Sequence, residues 1–103
     1  MSVVMRIVQR FDACDEAEFM ALEKQFAALE VKRPDLPRGR RLQPLAASEP
    51  SNTLIWEGEF PTLAAAHKAL SSFSGDAAHE RLAKKQRPLF RKVRVEFYNV
   101  LDF

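Results

Sequence analysis

A chain of 103 residues with 47% apolar and 29% charged side chains has the composition of one soluble globular domain, which excludes disorder, a low-complexity linker and a repeat array. Its 16 basic residues stand against 14 acidic ones, and the resulting net charge of +2 excludes a dedicated nucleic-acid surface. Cys14 is the only cysteine, so no intrachain disulfide forms; Arg6 and Arg10 break the apolar opening run, so neither a secretion signal nor a membrane span is predicted and a reducing cytoplasm is the expected setting.

Residues 2–11, SVVMRIVQRF, alternate as a strand does, with Val3, Met5, Ile7 and Phe11 on one face and Val4, Arg6, Val8 and Arg10 on the other. Asp15, followed three residues on by Glu18, has the form of a capping box opening a helix. Phe19, Leu22, Phe26 and Leu29 form its core-facing stripe, and Pro34 ends it. The loop RPDLPRGRR (33–41) and the basic run from Lys84 to Lys92 are predicted to be solvated charge. RLQPLA (41–46) is predicted as a short second strand whose Pro44 suits a sheet edge, with SEPSN (48–52) as the turn. In TLIWEGEF (53–60), Leu54, Trp56 and Phe60 face one way and Ile55, Glu57 and Glu59 the other. Pro61 and Thr62 open a second helix with Leu63, Ala66, Leu70 and Phe73 as its stripe and Gly75 at its end. Asp76 caps a third, running to about Gln86 ahead of Pro88. RKVRVEFYNVLDF (91–103) alternates again, Val93, Val95 and Phe97 against Arg94, Glu96 and Tyr98.

The order β-α-β-β-α-α-β predicts a single α+β domain over 1–103. Its expected form is a ferredoxin-like sandwich, with an antiparallel four-stranded sheet in the order 4-1-3-2 and the helices on one face. Trp56 then belongs to the core. The open face collects Arg6, Arg10 and Arg94 with Glu57, Glu59 and Glu96, interleaved with Val4, Val8, Ile55, Tyr98 and Val100. Acids repel phosphate, and Tyr98 alone is no stacking platform for bases. A half-apolar sheet face wants a cover, and a second copy of the same sheet provides one through a two-fold axis. Arg6, Arg10, Glu57, Glu59, Arg94, Glu96 and Tyr98 are therefore the expected dimer-face or ligand-binding residues, around either a cavity or a filled interface. His67 reads as a half-buried helix histidine and His79 as an exposed one at a helix start. Their spacing is not that of a metal site, so no metal is predicted, and no phosphate loop or nucleophile elbow is present.

The junction IWEGEFPTLAAA (55–66), the closing VRVEFYNVLDF (93–103) and the element order resemble the dimeric α/β-barrel superfamily. That superfamily includes antibiotic-biosynthesis-type monooxygenases, stress-responsive barrels, NIPSNAP-like domains and haem-degrading monooxygenases. The resemblance implies a homodimer able to hold a small apolar or aromatic molecule between its two sheets, while the residues themselves call for no cofactor, no nucleic acid and no membrane partner. It also implies two alternatives: a cofactor-independent monooxygenase, or an interaction module whose barrel is solid. For the enzyme, Glu57, Tyr98 and Arg6 are the catalytic candidates, since a carboxylate accepts a proton while Arg holds an anion. Haem-degrading members carry a ligand His in a context like DAAHERLAKK (76–85), which makes His79 a cofactor candidate. Their first-strand Asn is replaced here by Arg6 or Gln9, and no Trp stands near Ala69.

Overall fold

The computed structural model describes residues 1–103. Val3–Phe11 forms β1, Glu16–Lys32 α1, Arg40–Leu42 β2, Thr53–Phe60 β3, Leu63–Ser74 α2, Ala77–Gln86 α3 and Phe90–Asn99 β4. The sheet order is β2-β3-β1-β4 with every pairing antiparallel, the ferredoxin-like arrangement expected from the element order. β1 lies at the centre, Ile7 between Trp56 and Val95 and Arg6 between Glu57 and Glu96. Alternation then sends Ile7, Trp56 and Val95 toward the helices and the three charged residues away from them.

Two apolar clusters hold the helices on the sheet. Val3, Met5, Trp56 and Ala66 are buried together, with Leu70 and Phe73 of α2 packed against them. At the other end Phe11 stacks on Phe19 at 4.3 Å and Phe90 meets Phe19 edge-on at 5.7 Å. Trp56 is 4% exposed, and its ring meets Phe73 edge-to-face at 5.7 Å. Fully burying an aromatic side chain of this kind stabilises by about 1.5–3 kcal/mol. Gly39 and Gly58 make room for the indole: a Cβ at Gly58 would lie 2.8 Å from the ring, and one at Gly39 would collide with it and lie 2.7 Å from the Glu57 carbonyl oxygen.

Caps decide the helix starts. Thr62 accepts from the Ala65 amide at 3.0 Å and Asp76 from the His79 amide at 2.8 Å, each satisfying an amide that the helix leaves unpaired. The capping box at Asp15 does not form. A 3-10 turn over Ala13–Asp15 precedes α1 and leaves Asp15 at ψ 4°, away from the extended backbone that a capping side chain needs. β2 is three residues long instead of the six of RLQPLA, and residues 43–52 form a loop; Pro44 has no N–H to continue the ladder. Leu29 is half-buried and Leu63 exposed, while Glu23 and Glu30 take the buried positions on α1. No helix is long and apolar enough to cross a membrane.

Candidate functional site

The open face carries its charges in pairs. Glu57 accepts from Arg6 at 2.8 Å and from Arg40, on β2, at 2.6 Å. Burial alone would raise the Glu57 carboxyl, but the two guanidinium groups outweigh it and hold it below the ordinary carboxylate range. Arg94 donates to Glu96 at 2.7 Å and reaches Glu49 of the 43–52 loop at 2.6 Å. The Tyr98 hydroxyl donates to Glu96 at 2.8 Å, and Arg6 lies over the Tyr98 ring at 5.4 Å. Arg94 and then Tyr98 pull Glu96 down, and Glu96 raises the Tyr98 phenol. The sheet thus brings Arg6, Glu57, Arg94, Glu96 and Tyr98 into one network. Arg10 and Glu59 make no ion pair in it. Val8 is 3% exposed on this face, while Tyr98 is 46% exposed.

A cavity of about 250 Å³ lies on the opposite side, between the sheet and helices α1 and α3. It is not lined by any of the open-face residues. Phe26, Trp56, Phe73 and Phe90 give it aromatic walls, and Arg87 and Val93 border it where both are exposed, which marks the mouth beside β4. Its polar wall is built on Arg41, whose side chain is 19% exposed. Arg41 sits opposite Trp56 in the β2–β3 register and therefore points inward, unlike Arg40 beside it. It donates to Glu23 at 2.8 Å and grips Glu30 through two nitrogens at 3.2 and 2.5 Å. Glu30 also accepts from the Trp56 indole at 3.3 Å, and Glu23 from Gln86 at 2.8 Å. Burial works against the Arg41 cation, yet the bonds to Glu30 and Glu23 raise its pKa further.

His79 is not the exposed helix-start residue expected. It is half-buried in the cavity wall, its ring 4.8 Å from Phe73 in a stack and 4.7 Å from Phe26. Its Nδ1 is buried without a hydrogen-bond partner. Burial lowers its pKa despite Asp76, Glu30, Glu80 and Glu23 nearby, so the imidazole is neutral at pH 7. His67, expected half-buried, is exposed, with its ring 4.8 Å from Phe97. Haem does not fit at His79: the ring is sandwiched by Phe73 and Phe26, and a cavity of about 250 Å³ has no slot for a macrocycle.

Glu23, Glu30 and Gln86 were not site candidates from sequence; Gln9 entered only as the residue in place of an Asn, and Arg41 only as one of the loop arginines expected to be solvated. A signal for three of them exists. Glu23 and Glu30 stand 4 and 11 positions after Phe19, on the apolar stripe itself, and Gln9 falls on the inward alternation of β1. A polar residue at a core position asks for a partner or a cavity.

No protein-family model and no curated sequence matches this chain. Its fold does match solved structures. A NIPSNAP family protein from Agrobacterium tumefaciens superposes with a TM-score of 0.79 over 99% of this chain and 88% of that one, at 13% identity. A candidate antibiotic biosynthesis monooxygenase from Nitrosomonas europaea gives a TM-score of 0.71 over 97% and 90%, at 10% identity. A point mutant of SnoaB, a cofactor-independent oxygenase from Streptomyces nogalater, gives 0.64 over 99% and 95%, at 16% identity. The class is therefore a small ferredoxin-like α+β protein. It shares the fold of NIPSNAP and antibiotic biosynthesis monooxygenase-like structures, as the strand-to-helix junction and closing strand anticipated.

Proposed function

We propose that this chain is a small-molecule-binding protein that takes an apolar or aromatic ligand in the cavity beneath its helices and pairs with a second copy through its open sheet face. The observation that carries the reading is the cavity itself, walled by Phe26, Trp56, Phe73 and Phe90 and floored by polar side chains. Concave, mainly apolar sites with a few placed polar groups are where proteins hold small molecules. The open face supports a different role. Most of its arginines already meet carboxylates, and its apolar residues interleave with them, which suits a two-fold interface of Arg6, Arg10, Glu57, Glu59, Arg94, Glu96 and Tyr98.

A second reading, a cofactor-independent oxygenase, is favoured by the fold shared with SnoaB, an argument by analogy. In this reading the neutral His79 imidazole beside the cavity is the group able to accept a proton from a bound substrate. The test for ligand binding is a fluorescence titration of Trp56 with small aromatic probes, on the native chain and on Ala83→Leu, which narrows the cavity. Saturable binding lost in Ala83→Leu, with the oligomeric state unchanged, is expected. Equal binding by both proteins would remove the cavity from the account.

A further inference from the structure

We infer that the ligand of the helix-side cavity is an uncharged, flat molecule presenting a hydrogen-bond donor and acceptor side by side, as a lactam or cyclic amide does. The inference rests on the reading of that cavity as the ligand site. The polar groups around the cavity that remain free once the protein's own bonds are made decide the ligand's chemistry.

The charged groups are used up. Arg41 spends Nε on Glu23 and both terminal nitrogens on Glu30. The Glu23 oxygens accept from Arg41 and Gln86, and the Glu30 oxygens from Arg41, Trp56 and the Gly39 amide. An anion entering here meets two carboxylates whose combined charge Arg41 only half offsets, while Arg87, the other cation, lies out at the exposed mouth beside Glu80 at 2.8 Å. A cation would have to share carboxylate oxygens that each already hold a donor, and Arg41 offsets one of the two negative charges.

The amides are not used up. Gln9, 7% exposed, lines the cavity from the centre of the sheet between Leu54 and Val93. Its carboxamide makes no hydrogen bond to the protein. Gln86, 3% exposed, gives one N–H to Glu23 and leaves its carbonyl unpartnered in the same cavity. Neither amide is sealed against the cavity, since the polar side-chain atoms that are both fully enclosed and unpaired are Thr53 Oγ1 and His79 Nδ1. Facing only the cavity, a carboxamide presents one acceptor and two donors in a plane, of which Gln86 has given one donor to Glu23. Its complement is a coplanar N–H and C=O on one edge of a ligand. The rings of Phe26, Trp56, Phe73 and Phe90 line the remaining space, and aromatic walls suit a flat body.

The test is a titration of the 103-residue chain with three probes sharing one bicyclic body: 2-quinolone, naphthalene and quinoline-2-carboxylate. The Trp56 indole N–H resonance reports binding at this cavity. The quinolone is expected to bind about tenfold tighter than naphthalene, the gain from one or two added hydrogen bonds, with the carboxylate weakest. In Gln9→Met that preference should fall to about threefold or less while naphthalene binding persists, with melting temperature confirming the fold. If Gln9→Met does not fold, the ranking on the native chain decides. Naphthalene binding as tightly as the quinolone, or the carboxylate binding tightest, overturns this inference and leaves the cavity reading intact. Failure of all three probes to shift Trp56 overturns the cavity reading itself.

Discussion

Replacing Arg41 by Met removes the one cation that stands between two buried carboxylates, Glu23 at 6% and Glu30 at 5% exposure. A buried pair contributes little against well-packed apolar residues, but breaking one leaves an uncompensated charge in a poorly solvated site, which costs about 3–5 kcal/mol. Two carboxylates lose their counterion here, so the upper part of that range applies at pH 7. Against a total stability of about 5–15 kcal/mol, this single change brings the fold near its limit. Arg41→Met combined with Glu23→Gln and Glu30→Gln should recover at least half of the loss, because no charge is then left without a partner. Urea unfolding followed by Trp56 fluorescence at pH 7 measures both statements. A loss under about 1 kcal/mol in Arg41→Met would refute the placement of Arg41 inside the cavity wall.

Gly39→Ala forces a methyl group into the Trp56 indole and the Glu57 carbonyl, and overpacking of this kind costs about 1–3 kcal/mol, a fall of several degrees in melting temperature. An unshifted melt would mean that the indole lies elsewhere. Glu57→Lys gathers a third cation beside Arg6 and Arg40 on the open face, so sedimentation should show a weakened dimer; an intact dimer of unchanged thermal stability contradicts the assignment of that face. His79 has a folded pKa below its ordinary 6.5, so the unfolded chain takes the proton first and stability declines as pH falls from 6.5 toward the folded value. His79→Phe should abolish that part of the pH dependence, leaving only the carboxylate losses at lower pH; a slope between pH 6.5 and 5.5 unchanged by the substitution would count against a buried neutral imidazole.

Most of the architecture was legible because it follows from alternation and helical periodicity. The inward faces of Met5, Ile7, Trp56 and Phe97 and the caps at Thr62 and Asp76 rest on local patterns that tertiary structure preserves. What sequence could not show was pairing across distance. Arg41 looked like one of four loop arginines, and only the β2 register turns it inward while Arg40 turns outward. Glu23 and Glu30 could not be recognised as its partners because 18 and 11 residues separate them from it. His79 carries a sequence context that suits an exposed first turn. Its burial depends on how α1 and α2 bring Phe26 and Phe73 to it, which no local pattern encodes.

The most direct test of the account is a native mass spectrum recorded with 2-quinolone in excess. Because each protomer has its own cavity beneath its helices, the prediction is a dimer carrying two ligands, with binding to the second independent of the first. A dimer that saturates with one ligand would place the molecule between the two sheets, and a monomer would remove the interface assigned to the open face; either result contradicts the account.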